Sequence, residues 1–336
     1  MYRRDFLTLI GSSAGCLFAL GAQRSLPAEE IRGAKIREVG FFYPGTAEAS
    51  KVRVAAFLKG LKEKGYVEGQ NVALVTRITE LRPDKLAPLA LELVHRKVDV
   101  ILGIGSPAVL AARAATSSIP IVALDLESDP VNRGFVSSLS RPGGNITGLF
   151  FDFPEFSGKW FELLEEVLPG LAHVTILWDP ATDTPQLGGV NAVATARRIA
   201  LELLRVETLT QMEDAFRAAA ESRTQAVMLL SSPLIGANLK LAASLALQYR
   251  LPAITMFPEF AEVGGLMGYG TDLMHLYQQA GALVGKILSG ARPADIPVER
   301  PTRFQFVINL KTAKVLGLTI PPTLLIRADE VIESLG

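Results

Sequence analysis

From residue 36 onward, short apolar runs alternate with longer stretches in which apolar residues recur every three or four positions. The runs at 36–43, 72–76 and 98–104 are rich in Val, Ile and Phe, which suits strands covered on both faces. Between them, a helix through 55–58 is stopped at Lys64-Gly65 after a lysine-rich last turn, and helices follow at 83–96 and 107–115. Strand and helix in alternation predict a parallel sheet joined by crossover helices.

The second half carries the same pattern. Phe156, Trp160, Leu163, Leu164 and Val167 stand at helical spacing and predict a helix over 156–168 whose aromatic stripe is core. A strand ending at Trp178, a long helix over 190–203, a helix over 212–220, a strand before Ser231 and a helix over 235–249 follow. Further on, a strand starts at Pro252 and a helix runs over 273–288. The segment 309–316 and a short helix over 328–335 close the chain.

Sliding the second half over the first superimposes three strand-to-helix junctions in the same order. Residues 39–44 lie over 175–180, each apolar and ending at a proline; 98–107 lie over 224–233, each stopped by Ser-Pro; 119–124 lie over 251–256. Three ordered matches predict two similar, doubly wound α/β lobes. Between them, Pro142, Gly143, Gly144 and Asn145 favour a turn and read as a hinge. Glycines reappear at Gly264-Gly265, read as a second crossing, and Pro293, Pro297 and Pro301 break up a stretch that could hold a third. The expected division is 29–147 plus 265–300 as lobe 1 and 148–264 plus 301–336 as lobe 2, joined by a multi-crossing hinge.

Composition narrows the function. The chain of 336 residues is long enough for two cores, and 34 basic residues balance 34 acidic ones. Without its first 28 residues it would be slightly acidic, so no nucleic-acid partner is expected. Residues 1–28 read as an export signal: Arg3-Arg4 precedes Phe6-Leu7 and a small, apolar segment to Ala22, a pattern of the twin-arginine type, with the general secretory route as the alternative. The only cysteine, Cys16, lies inside that segment; Ser13 stands where a lipoprotein signal usually has a bulky aliphatic residue.

In open α/β sheets, ligands bind beyond the carboxyl ends of the strands, where helix N-termini present free N–H groups. Here that edge holds Tyr43, Gly105 and Ser106, Asp125 and Glu127, Asp179, Ser231 and Ser232, and Phe257, with Tyr269 on the later glycine-rich run. Ser106 and Ser232 precede prolines at equivalent helix starts of opposite lobes, so closure is expected to bring both toward one carboxylate. Asp125, Glu127 and Asp179 could meet an ammonium, and Tyr43, Phe257 and Tyr269 an aromatic face. Together these groups describe an amino-acid ligand.

No enzyme is indicated. His95, His173 and His275 are isolated, so no metal site is expected, and neither a nucleophile elbow nor a P-loop occurs. No cofactor is expected, although Gly103-x-Gly105-x-x-Ala108 followed by Asp125 formally matches a dinucleotide fingerprint.

Two further motifs carry a resemblance. With the Arg-Arg-Asp-Phe-Leu start, residues 138–148 (Ser-Leu-Ser-Arg-Pro-Gly-Gly-Asn-Ile-Thr-Gly) and 306–322, which end Gly317-Leu318-Thr319-Ile320-Pro321-Pro322, resemble the ABC-transporter substrate-binding proteins of the tryptophan/tyrosine type. The resemblance implies a type I periplasmic-binding-protein fold, acting as a periplasmic monomer that closes on a small-molecule solute and delivers it to an ABC permease in the inner membrane. A sensory receptor module for a small solute fits the same residues. Residues 124–130, with Asp125 and Glu127, are more acidic than the family's usual segment before Asp-Pro.

Overall fold

The computed structural model describes residues 36–333 apart from 152, 183 and 184. The export signal and Cys16 lie outside the described residues. Two sheets organise the rest. In the first, β1 (Arg37–Tyr43), β2 (Val72–Ile78), β3 (Val100–Ile104), β4 (Ile121–Asp125) and β5 (Ile146–Phe150) are all parallel, in the order β2-β1-β3-β4-β5. Each of the last three is buried along its whole length, which is why they read as unbroken apolar runs.

The second sheet repeats that order. It contains β6 (His173–Trp178), β7 (Ala200–Arg205), β8 (Ala226–Leu229), β9 (Ala253–Thr255) and β10 (Met267–Thr271), arranged β7-β6-β8-β9-β10. Beyond β10 it adds β11 (Phe304–Asn309), antiparallel, and β12 (Glu330–Ile332), parallel to β11. The three matched junctions of the sequence repeat therefore follow β1 and β6, β3 and β8, and β4 and β9.

Pairing moves the crossings. The stretch around Gly143-Gly144 is a turn inside the first lobe, where the Gly143 N–H donates to the Ala294 carbonyl and Asn145 Nδ2 donates to the Thr116 and Ile119 carbonyls. The chain leaves the first sheet only after Phe150, passing into α4 (Phe153–Val167). Gly264-Gly265 is likewise no crossing: the Gly265 N–H closes the turn after α9 (Glu259–Glu262) by donating to the Phe260 carbonyl, and β10 continues the second sheet. The return comes after Thr271, where Asp272 caps α10 (Leu273–Leu288) by accepting from the His275 N–H at 2.9 Å. A third crossing follows Glu299, whose N–H donates to Gly148 and whose carbonyl accepts from Phe150 in the first lobe, and ends at β11. Residues 36–150 with 273–299 form one lobe, and 153–271 with 304–333 the other.

Three other elements differ from expectation. The helix expected over 190–203 is α5 (Pro185–Arg197), ended by Arg198 at φ +60°, and 200–205 pairs as the edge strand β7. Its residues favour helix alone, and pairing along the whole of β6 overrides that preference. The helix expected over 235–249 is broken at Asn238 into α7 (Pro233–Ala237) and α8 (Leu239–Gln248). In place of a final helix over 328–335 stand α12 (Pro322–Arg327) and β12, tied down where Asp329 accepts from the Phe306 N–H at 2.7 Å. The aromatic stripe of α4 is core: Trp160 is fully buried and its Nε1 donates to the Tyr269 carbonyl.

Candidate functional site

The carboxyl ends of β1, β3 and β4 face those of β8 and β9 across a small cavity. It is lined by Tyr43 and Pro44 after β1, Gly105 after β3, Leu126 and Glu127 after β4, Ser231 to Pro233 after β8, and Phe257 after β9. Two longer side chains reach in from helices, Arg53 from α1 (Ala47–Glu63) and Tyr277 from α10. Its free volume is about 50 Å³, room for water rather than for an amino acid. A solute therefore requires the lobes to part.

Glu127 is what joins them. Its Oε2 accepts from the Ser106 N–H at 2.9 Å within its own lobe, and its Oε1 accepts from the Ser231 hydroxyl at 2.9 Å in the other. Gly105, at φ +74°, opens α3 (Gly105–Ala115) so that the Ser106 N–H points at this carboxylate. The seat at the start of α3 is thus filled by the chain's own Glu127 carboxyl group. That corrects the expectation of a ligand carboxylate between Ser106 and Ser232. It also leaves no place for the pyrophosphate of a dinucleotide at the Gly103-Gly105 turn.

Other expected residues also find different places. Ser106 is fully buried, its hydroxyl accepting from that of Ser128 at 2.8 Å. Asp125 is fully buried too, and its Oδ1 accepts from the Glu127 and Ser128 N–H groups, so it shapes the loop that presents Glu127. Ser232 caps α7 by accepting from the Ile235 N–H, but a helix of five residues offers little dipole to an anion. Asp179 lines an adjoining chamber. Tyr269 is away from both, its ring stacked on Phe156 at 4.9 Å in the second lobe. Tyr43, Gly105, Glu127, Ser231, Ser232 and Phe257 do line the central cavity.

Sequence reasoning missed Arg53 and Tyr277. The Arg53 guanidinium lies over the Tyr43 ring, 5.5 Å from its centroid, and hydrogen-bonds the Ala49 carbonyl and Tyr277, with Glu259 acting at longer range. Burial would lower its pKa, yet Tyr277, Tyr43 and Glu259 together raise it, so the cation is held firmly. Burial raises both tyrosines, against the pull of Arg53, and they remain neutral donors. In the sequence Arg53 sits among Lys51, Lys59 and Lys62 like any residue of a solvated helix face.

Burial, and then the Asp125 charge, push the Glu127 carboxyl up to about 8. A carboxyl raised in the folded chain binds its proton there at pH values where the unfolded chain has lost it. Its stabilising contribution is therefore complete at acid pH and fades as pH rises from the ordinary carboxylate range to about 8. Thermal melts between pH 5 and 8 should show stability falling with pH, and Glu127→Gln should flatten that slope. A slope unchanged in the variant would assign it to other groups.

The chain has counterparts of known kind. The family model for ABC transporter substrate binding proteins matches residues 43–332. A tyrosine-binding protein of Clostridioides difficile is 24% identical over 310 residues, covering 90% of this chain and 88% of its own. Among solved structures, an ABC domain in complex with L-Trp from Streptococcus pneumoniae superimposes with a TM-score of 0.82 at 26% identity, covering 89% of this chain and all of that one. A leucine-binding protein from Thermotoga maritima, 16% identical, shares the fold at a TM-score of 0.58 over 76% of this chain and 83% of its own. The two-lobed architecture is that of type I periplasmic binding proteins, and members of the matched ABC transporter substrate-binding family take a small-molecule ligand and work outside the cytoplasm with a membrane permease. Among the described residues, no helix is long and apolar enough to cross a membrane. The chain belongs to the ABC transporter substrate-binding protein family.

Proposed function

We propose that this chain is the receptor of an importer for an aromatic amino acid, exported by its twin-arginine segment and acting as a monomer without catalysis of its own. The observation that carries the reading is that one guanidinium, one carboxyl group and aromatic rings line the same central cavity. Arg53 takes the solute's carboxylate, assisted by the Tyr277 hydroxyl. Glu127 takes its ammonium, which displaces the Ser231 hydroxyl and supplies the positive charge that keeps Glu127 ionised. Tyr43 and Phe257 flank the remaining space. The relatives named for tyrosine and for bound L-Trp support an aromatic solute.

Once the ammonium is in place, Glu127 ties the solute to the first lobe through Ser106, while Ser231 to Pro233 cover it from the second. Closure is thereby coupled to occupancy. Calorimetry across the twenty amino acids should give saturable binding with an aromatic member strongest. Binding of a sugar or of an amine-free anion, with the amino acids silent, would overturn the zwitterion reading and leave the family assignment standing.

A further inference from the structure

A larger cavity, of about 440 Å³, lies against α4, and among the described residues it shares no wall with the central one. That volume suits a small molecule. Its floor is a group of rings. The Tyr269 ring lies nearly parallel to Phe156, at 4.9 Å and 18°, and to Phe304, at 6.3 Å and 16°, while Phe151 stands edge-on to Phe156 at 4.5 Å. Antiparallel register sets Tyr269 opposite Phe306, so Phe304, two residues along, shares its face of the sheet. Although these rings crowd it, Phe304 is still 43% exposed.

Gly158 keeps the floor open. It lies inside α4, where glycine is a poor helix former, and it lines the cavity. Among the described residues no atom lies within 4 Å of a Cβ built on it, whereas at Gly60 and Gly281 the added atom would strike backbone. Close packing explains those two glycines and does not explain Gly158.

The rim is cationic. Lys159, Arg197 and Arg300 line the cavity, with Glu162 as the one carboxylate beside them among the described residues. Lys159 donates to Glu162 Oε1 at 2.7 Å, and Arg327 donates to that oxygen at 3.3 Å and to Glu166 at 2.8 Å. Arg197 pairs with Glu165. Glu162 therefore already has two cationic partners, and the four cations still outnumber the three carboxylates around the rim.

We propose that this cavity is a second binding site, for a planar aromatic anion, built on the crossings between the lobes. The rings take the flat face of such a ligand and the rim takes its charge. Phe151 belongs to the first crossing, and Arg300 and Pro301 to the third. An occupant thus bears on segments that must bend when the lobes part, and it acts as an effector of opening. The site is independent of what the central cavity binds.

The test is calorimetry on the intact protein with naphthalene-2-carboxylate, 2-(aminomethyl)naphthalene and cyclohexanecarboxylate. Each control lacks one of the two interactions, the charge or the aromatic face, so the naphthoate should bind at least about tenfold more tightly than either. Gly158→Leu fills open space with a better helix former, and it should abolish naphthoate binding with no fall in the thermal melt. Lys159→Gln leaves Glu162 with Arg327, and it should weaken the naphthoate several-fold while narrowing its lead over the amine. Arg53→Met, in the central cavity, should leave the naphthoate as it was. Bound naphthoate should also slow hydrogen exchange around Phe151 and Arg300. No saturable naphthoate binding, or equal affinity for the amine, would overturn the site. Binding lost in Arg53→Met and kept in Gly158→Leu would assign the probe to the central cavity and overturn it as well. Unaltered exchange at the crossings would overturn the effector role.

Discussion

Replacing Gly281 by valine should destabilise the chain by on the order of 3 kcal/mol or more, lowering the melting temperature by at least roughly 5 °C. The helix α10 returns from the second lobe to lie across α1, and the two backbones touch where they cross. A Cβ added at Gly281 would stand 2.2 Å from the Phe57 carbonyl oxygen, and one at Gly60 would stand 1.8 Å from that of Gln278. Backbone on both sides cannot swing away as a side chain can, so the helices must separate. Because Tyr277 lies one turn before Gly281, the same shift would disturb the hydrogen bond that holds Arg53. Gly188→Ala in α5 is the control: no atom lies within 4 Å of its added Cβ, and it should be neutral or stabilise by up to about 1 kcal/mol. Equal losses in the two variants, read by denaturant melts, would exclude the helix crossing as the cause.

Replacing Arg53 by methionine should reduce affinity for the solute about tenfold to a hundredfold while leaving the fold nearly as stable. A hydrogen bond to a charged group contributes roughly 1.5–3 kcal/mol, and methionine keeps much of the side chain's apolar stem against Tyr43. The change should also raise the relative standing of amines that lack a carboxylate, since the Glu127 side of the site is unaltered. Calorimetry with L-tyrosine and tyramine separates the two effects: the ratio of their affinities should fall in the variant. If both weaken by the same factor, Arg53 acts by supporting Tyr43 and Tyr277 instead of meeting the carboxylate.

The halves of this chain announce themselves because parallel strands buried on both faces leave an unmistakable apolar run, and because each run ends where a helix must start. Matching three such junctions was enough to indicate two like lobes and the strand ends that carry Tyr43, Glu127, Ser231 and Phe257, which line one cavity; the shared strand order came from the structure. What the repeat could not set was where the chain changes lobes. Glycine marks a turn whether or not the turn lies at a boundary, and the turns at Gly143-Gly144 and Gly264-Gly265 each stand just before the last strand of the shared order in a sheet.

Within the site, the sequence identified residue types and chain ends, which are local properties. It could not tell a carboxyl group that stays within its own loop from one that links the lobes. Asp125 and Glu127 are two positions apart and equally acidic, yet Asp125 Oδ1 accepts from backbone N–H groups of its own loop, while Glu127 reaches from Ser106 to a serine 104 residues away. Arg53 is the converse case: an unremarkable helix residue becomes a held cation in the cleft only because α10 crosses back and brings Tyr277 beside it. Periodicity and capping are written in neighbouring residues and so determined the lobes and the strand ends that meet at the central cavity. The charges that line that cavity depend on which distant strands and helices pair, and only the tertiary structure decided those.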